Sequence, residues 1–283
     1  MTNAATLDGI NVAYAMPSDQ VGQSYPAIQA TTYRPGTMSQ SVYLCLSQDS
    51  FDLLSRESAE LVGSGGTAAC NYGEDDVTMM LLPESTRFIL LGIPKMLKQN
   101  KETKDVDYLR RGDKLAGTDW VTATKLIMCL TVDNKLLLTD DGTPQIFTLK
   151  LTSSKTKLVS GDRNDREFKS VASMNAGLLK HYKQRRCTLT HLVSVPIIAR
   201  PEKFSSRTKN ESSIGILFTL GGSAHPLTED TQTTMYHLIN TDEVKDLLAN
   251  PFMSEPKQSE EDEPSMTPVS SGNDPMDYDD IPF

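Results

Sequence analysis

The sequence predicts a mainly β protein with a few helices and a polar C-terminal tail. Apolar residues alternate along several short stretches between residues 86 and 220, one stretch near residue 170 has helical spacing, and residues 254–283 contain almost no apolar side chains. With 283 residues, of which 38% are hydrophobic, the chain is long enough to bury a sizeable core.

Five stretches in the middle of the chain predict strands, because they are short, apolar and bounded by turn or breaker residues. They are 86–93, 122–132, 145–152, 189–199 and 214–220. Lys125 and Lys150 fall on the polar faces of the second and third stretches. Pro196 lacks a backbone donor, so the fourth strand is expected to be bulged or to lie at a sheet edge.

A helix is predicted between the third and fourth strands. Asn164 and Glu167 resemble a capping box, and an apolar stripe runs from Phe168 to Tyr182. The helix ends in a basic cluster at 180–186. Cations also suit the last turn of a helix, so a purely structural role for part of this cluster stays open.

This order of three strands, a helix and two strands is that of an OB-fold, a small five-stranded barrel. The core of the barrel is expected at about 86–222. In such barrels the loops between strands one and two and between strands four and five flank the oligonucleotide groove. The corresponding segments here, 95–119 and 200–213, are both rich in Lys and Arg.

The remaining segments complete the predicted organisation. Residues 1–24 form a flexible arm, 25–253 a single globular domain and 254–283 a disordered acidic tail. Within 25–85, a strand at 42–46 and a helix at 50–61 either extend the barrel or form a separate lobe. A further helix is expected in the second half of 226–250, capped by Thr241 and ended by Asn250-Pro251.

The charge is unevenly distributed along the chain. The net charge is −9, but residues 254–283 alone carry nine acids and one lysine, and 150–209 carry fourteen basic and four acidic residues. This segregation favours a polyanion-binding surface over a merely solvated face. The candidate DNA-binding residues are Lys95, Lys98, Arg110, Arg111, Lys114, Trp120, Lys125, Lys150, Lys155, Lys157, Arg200, Lys203, Phe204, Arg207 and Lys209.

Base stacking requires flat side chains near the cations. The candidates are Trp120, Phe204, Tyr108 and Tyr182, each of which serves packing equally well. Because aromatic residues make up only 6% of the chain, binding is expected to depend on phosphate contacts, with a steep salt dependence and no sequence preference.

Other classes of protein fit the sequence less well. It has no basic, apolar leader and no apolar run of membrane-spanning length, so a cytoplasmic location is expected. The four cysteines are far apart, the four histidines follow no known catalytic or metal-binding spacing, and 63–66 lacks the lysine of a phosphate-binding loop. No catalytic residue, metal or cofactor is therefore predicted.

The last residues, Asp274-Pro275-Met276-Asp277-Tyr278-Asp279-Asp280-Ile281-Pro282-Phe283, carry aspartates before Ile-Pro-Phe. This end resembles the acidic tip of bacterial single-stranded DNA-binding proteins. The resemblance implies that the tip binds replication, recombination and repair proteins while DNA is held elsewhere. The implied partner-binding residues are Asp277, Asp279, Asp280, Ile281, Pro282 and Phe283.

That family places its OB-fold near the start of the chain, whereas the candidate barrel begins here near residue 86. The protein therefore resembles a divergent or analogous member of bacterial, phage or plasmid origin. A homo-oligomer is possible, but the tetramer of the familiar family is not carried over.

The expected function is non-enzymatic, sequence-independent binding of single-stranded DNA, which protects exposed strands. Two alternatives stay open. One is a recombination mediator or strand-annealing protein. The other is a nuclease, for which Glu74-Asp75-Asp76 is the only tight acidic cluster before the tail and is better explained as a surface turn.

Overall fold

The computed structural model describes residues 25–33, 41–72, 75–110, 112–115, 118–161, 169–205, 212–221 and 223–252. It is a mixed α/β structure of mostly strands and a few helices, and its sheets do not close into a barrel. The predicted OB-fold is therefore not confirmed. The predicted arm 1–24 and acidic tail 254–283 lie outside the described residues.

The described part contains fourteen strands and six α-helices. The strands are β1 (Ala27–Tyr33), β2 (Ser41–Ser47), β3 (Thr67–Tyr72), β4 (Asp75–Leu81), β5 (Arg87–Leu90), β6 (Leu97–Asn100), β7 (Val106–Tyr108), β8 (Trp120–Val132), β9 (Lys135–Leu136), β10 (Phe147–Thr152), β11 (Val193–Ser194), β12 (Ile197–Ser205), β13 (Ser212–Leu220) and β14 (His225–Pro226). The helices are α1 (Gln48–Phe51), α2 (Arg56–Gly63), α3 (Lys157–Ser160), α4 (Val171–His181), α5 (Glu229–Ile239) and α6 (Asp242–Ala249), with short 3₁₀ helices at Ser153–Thr156 and Thr190–Leu192.

The long strand β8 is the centre of a ten-stranded sheet with the order β3-β4-β2-β1-β10-β8-β6-β7. On one side β8 pairs first with β6 and then with β5, and on the other it pairs with β10 and then β9. Strand β12 pairs with β13 in a separate two-stranded sheet. This separate hairpin is one reason why the strands do not form the predicted barrel.

Other elements cover the sheet on both faces. We call the face with the even-numbered side chains of β8 the even face and the face with its odd-numbered side chains the odd face. On the even face, Leu126, Met128 and Leu130 belong to one core with residues of α4 and β13. On the odd face, Ile127 and Cys129 pack with residues of α5 and α6. The alternation along 122–132 predicted a single apolar face, but the C-terminal helices bury the second one as well.

Residues 25–85 extend the sheet. Strand β1 pairs in parallel with β10 and antiparallel with β2, which in turn pairs with β4. The predicted strand at 42–46 is confirmed as β2, and the predicted helix at 50–61 is divided into α1 and α2. The sequence left open whether 25–85 adds strands or forms a separate lobe. The structure shows added strands.

Two segments differ from their predicted structure. The segment 95–119 was predicted to be a loop, but it contains the hairpin β6–β7, because β6 finds a pairing partner in β8. The segment 189–199 was predicted to be one strand. Instead it contains a 3₁₀ helix, β11 and the start of β12, and Pro196 lies at the break between the two strands.

The helices follow local capping chemistry. Helix α4 begins at Val171 with Ser170 as its N-cap, whereas the predicted cap at Asn164 and Glu167 lies outside the described residues. The Thr241 cap of α6 is confirmed, since its side chain accepts a hydrogen bond from the backbone of Val244. The sequence missed α5, which precedes α6. None of the described helices has the length and apolar composition needed to cross a membrane.

Candidate nucleic-acid interface

Two lysines stand opposite each other on the odd face of the sheet. Lys125 of β8 is directly paired with Lys150 of β10 in the antiparallel register. Lys125 is only 5% exposed, whereas Lys150 is exposed. Side chains that are opposite in an antiparallel pair lie on the same face, about 5 Å apart at their Cβ atoms. The sheet therefore holds two cations side by side.

The ring of Phe252 covers both ammonium groups. The distance from Nζ to the ring centroid is 5.1 Å for Lys125 and 5.5 Å for Lys150. Both distances are within the range of cation–π attraction. The half-buried Phe252 follows the end of α6, at the last residues that the structure describes.

The position of Phe252 is fixed by the way α6 docks on the sheet. The backbone N–H of Lys95 donates to the carbonyl of Leu248 over 3.0 Å. Leu248 also packs against Gly92, where an added Cβ would come within 2.6 Å of its Cδ1 atom. Glycine at this position thus permits the close approach that holds the end of α6, and with it Phe252, over β8.

A third lysine continues this row. Lys95 lies two residues before β6, and its carbonyl accepts a hydrogen bond from the Thr124 hydroxyl over 2.9 Å. Extending the β6–β8 register by two residues places Lys95 beside Lys125. With neighbouring strands about 4.8 Å apart, the three lysines cross the sheet over roughly 10 Å. We call Lys95, Lys125 and Lys150 the lysine row.

The side chain of Lys95 is also held by an aromatic ring. Its Nζ lies 4.0 Å from the centroid of Tyr108. Leu97 pairs with Tyr108 on one side and with Ala123 of β8 on the other. The side chain of Tyr108 therefore lies on the odd face, as does that of Lys125. Tyr108 is 52% exposed, which leaves ring surface available to a ligand.

Two members of the lysine row, Lys95 and Lys150, lack an acidic partner in the described part of the chain. A π face attracts a cation without neutralising it. The arrangement combines cations for phosphates with flat rings for bases, which is the chemistry of single-strand binding.

Lys98 and Trp120 lie on the even face and form a different environment. Lys98 pairs with Asp107 over 3.3 Å and with Asp113 over 3.4 Å, and its Nζ lies 5.3 Å from the Trp120 ring centroid. The hydrogen bond to Asp107 is the largest cause of the raised pKa of Lys98. Its charge is thus already balanced, which makes it a poor phosphate ligand.

The other predicted residues are spread over the molecule. Arg110 and Lys114 are exposed beyond the β6–β7 hairpin, and Lys157 is exposed at the start of α3. Lys155 is half-buried, and burial lowers its pKa. None of these four residues belongs to the lysine row.

The second predicted basic segment belongs to the separate β12–β13 sheet and not to the lysine row. Arg200 is exposed on β12, which packs near β2 and contributes Ile197 to the core of the even face.

Several predicted residues lie outside the part of the chain that the structure describes. Arg111, Arg207 and Lys209 lie outside the described residues, as do all six tail residues from Asp277 to Phe283. For Lys203 and Phe204 only the place in β12 is described. Within the described ranges, no group of three or more His, Cys, Asp or Glu residues could hold a metal ion.

Sequence reasoning missed Phe252. Asn250-Pro251 was interpreted as a helix stop, and the aromatic residue that follows was not assigned a role. Asn250-Pro251-Phe252 is too short to show a periodic pattern. The only signal in the sequence is that Phe252 is an aromatic residue between a helix and an acidic tail.

No family model, curated protein or solved structure matches this chain.

Proposed function

We propose that this protein binds single-stranded DNA without sequence preference and without catalysing a reaction. The observation that carries this proposal is the lysine row with Tyr108 and Phe252 on the odd face of the sheet. The exposed Lys95 and Lys150 contact phosphates, and the two rings offer stacking surfaces to bases. Every base has a π face, so such contacts tolerate any sequence.

The geometry favours a single strand over a duplex. In a duplex the flat faces of the bases are stacked on each other and the grooves expose only base edges. Rings that lie flat against lysine ammonium groups on a sheet can reach base faces only when the bases are unstacked. Phosphate contacts by lysines alone would not discriminate between the two forms.

An OB-like organisation of the core belongs to this proposal. Its support is that β5, β8, β10 and α4 occur in the predicted order of three strands and a helix, although β6, β7, β9 and α3 lie between them. In OB-folds a sheet face and its adjoining loops bind oligonucleotides. The proposed function depends on the sheet face and not on whether the strands close into a barrel.

We assign the acidic tail a separate role. It recruits replication, recombination and repair proteins to the bound strand through residues 277–283, as the resemblance of its tip implies. Aspartates steer a peptide toward basic rims and favour fast, salt-sensitive association. Deleting 274–283 should leave affinity for DNA unchanged or raised and abolish capture of these enzymes.

The direct test is fluorescence anisotropy of labelled oligo-dT and of a duplex of equal length, each at two salt concentrations. We expect oligo-dT to bind more tightly than the duplex and to lose affinity steeply with salt. The DNA should also remain intact on a denaturing gel with Mg²⁺ present. Equal affinity for both DNA forms would refute the proposal, and cleavage would favour a nuclease.

A further inference from the structure

A dense group of cations lies at the C-terminal end of α4, away from the lysine row. Helix α4 packs on the even face of the sheet, since its residues Val171 and Met174 belong to the core of that face. The sheet therefore lies between α4 and the lysine row. The end of α4 and the turn that follows it carry four exposed cations, which we call the basic turn: Lys180, Lys183, Arg185 and Arg186.

Acidic residues are lacking around the basic turn, both along the chain and in space. No Asp or Glu occurs between Glu167 and Glu202. Within the described ranges, none of the four cations has an ion pair or a side-chain hydrogen bond. A group of exposed cations without acidic partners creates a local positive potential that attracts a polyanion.

Hydrogen bonds hold the backbone of the basic turn. The N–H of Gln184 donates to the carbonyl of Leu179 over 2.9 Å. The chain that leaves the turn is bound to the side chain of Asn175, which donates to the carbonyl of Cys187 over 3.3 Å and accepts from the N–H of Leu189 over 2.8 Å. The turn is thus closed at its base, so its cations are presented from a defined backbone.

Helix stabilisation explains only part of the basic turn. The favourable effect of cations on the helix dipole is confined to the last turn of a helix. That turn contains Lys180 and His181, whereas Arg185 and Arg186 lie beyond the end of α4. A guanidinium group forms two parallel hydrogen bonds to one phosphate. The two arginines are therefore suited to hold a phosphate backbone.

Two exposed rings lie among these cations. Tyr182 is 41% exposed, and the exposed His181 contacts it edge-to-face, with ring centroids 4.9 Å apart. An acidic protein would need only the cations, whereas a single strand also uses flat side chains on which its bases stack. The basic turn thus repeats, on the other side of the sheet, the combination of cations and rings that the lysine row shows.

We infer that the basic turn is a second binding site for single-stranded DNA, and that one chain holding a strand at each site promotes the annealing of complementary strands. This activity rests on the proposed function, because the lysine row holds the first strand. Strands longer than either site extend beyond the protein with unpaired bases. Holding both strands on one protein raises the effective concentration of each for the other.

The first test counts the oligonucleotides bound to each full-length chain by native mass spectrometry. The probe is oligo-dT of about eight nucleotides, a length within the usual range for one binding surface. Wild type should bind two such oligonucleotides. Arg185→Glu/Arg186→Glu should bind one, at the lysine row, and Lys95→Ala/Lys150→Ala should bind one, at the basic turn.

The matched control is Lys101→Glu/Lys135→Glu, an equal charge reversal at two exposed lysines outside both sites, and it should still bind two oligonucleotides. If wild type binds one oligonucleotide and the arginine variant keeps it, the inference is overturned. If wild type binds one that the arginine variant loses and the lysine-row variant keeps, the only site is the basic turn. That result would contradict the proposed role of the lysine row and, with it, annealing by two sites.

A ring variant tests whether the partner of the basic turn is a nucleic acid. In the Lys95→Ala/Lys150→Ala background, Tyr182→Ala should lower the affinity for oligo-dT roughly 5- to 150-fold, the usual value for one stacked base. Tyr236→Ala, which removes the 58% exposed ring of α5, should leave that affinity unchanged in the same background. Equal affinity with and without the Tyr182 ring would contradict base stacking at the basic turn and favour an acidic protein as its partner.

The second test measures annealing of two complementary strands, each several times longer than one site and labelled with a donor or an acceptor dye. Wild type should speed the rise in energy transfer about tenfold or more over DNA alone. Arg185→Glu/Arg186→Glu should lose this acceleration while it still binds oligo-dT, and Lys101→Glu/Lys135→Glu should keep it. Equal acceleration by the arginine variant would overturn the inference. So would the absence of acceleration by wild type, the result expected if one long strand occupies both sites.

Discussion

Lys125 and Lys150 are direct cross-strand neighbours on β8 and β10, and both point their ammonium groups at one ring, Phe252. Like charges directly opposite each other destabilise a sheet, whereas opposite charges contribute roughly 0.2–1 kcal/mol of stability. The shared ring offsets part of this repulsion through cation–π attraction. Two cations held side by side under one ring are the arrangement that a polyanion-binding surface requires.

Neutralising the lysine row should weaken DNA binding. Lys150→Ala or Lys95→Ala should each reduce affinity for oligo-dT by about 1–2 kcal/mol, roughly 5- to 30-fold. Each should also lower the slope of log K against log salt by about 0.7, because one phosphate contact is lost. Anisotropy titrations at four salt concentrations measure both quantities.

Lys135→Ala is the matched control, since Lys135 is an exposed lysine of β9, which pairs with the other end of β8. It should change neither affinity nor slope. Lys150→Ala should leave the melting temperature unchanged or raise it, because a like-charge neighbour is removed. A loss of affinity without a change in slope would contradict phosphate contact.

Phe252 should contribute to binding through its ring. Phe252→Ala should weaken oligo-dT binding by about 1–3 kcal/mol, the usual value for one stacked base, whereas Phe252→Tyr should stay close to wild type. Tyr236→Ala, which removes a 58% exposed ring from α5, should have no effect. An unchanged affinity for Phe252→Ala would assign the ring to packing alone.

Lys98 should contribute little, although it lies in the same basic segment. Asp107 and Asp113 already pair with it, so Lys98→Ala should change oligo-dT affinity less than twofold. Asp107→Asn/Asp113→Asn should raise affinity, because the lysine then keeps an unbalanced charge. A large loss for Lys98→Ala would show that the aspartates release the lysine when DNA binds.

The sequence predicted those parts of the site that follow from the local alternation of apolar and polar residues. Alternation along 122–132 and 145–152 correctly placed Lys125 and Lys150 away from the even-face core. It could not show that the two strands pair in the register that makes these lysines neighbours. Register depends on tertiary pairing, and a shift of one residue would have reversed the faces.

The sequence predictions that differ from the structure also concern features that depend on tertiary contacts. Leu97-Lys98-Gln99-Asn100 has little strand propensity, yet β6 forms because β8 offers an unpaired edge there. Phe252 acquires its place only because α6 docks against Gly92 and Lys95. Closure into a barrel likewise requires long-range contacts that a strand order does not specify.

His191 should make the stability of the fold depend on pH. The ring is 4% exposed, its Nδ1 atom has no hydrogen-bond partner among the described residues, and burial lowers its pKa from the usual 6.5. The unfolded chain therefore binds a proton below about pH 6.5 that the folded chain rejects, so stability falls as pH decreases through this range. Thermal melts at pH 7.5 and 5.5 should show a larger difference for wild type than for His191→Gln. The exposed His237→Gln should behave like wild type, and an equal difference in all three proteins would show that His191 is not the titrating group.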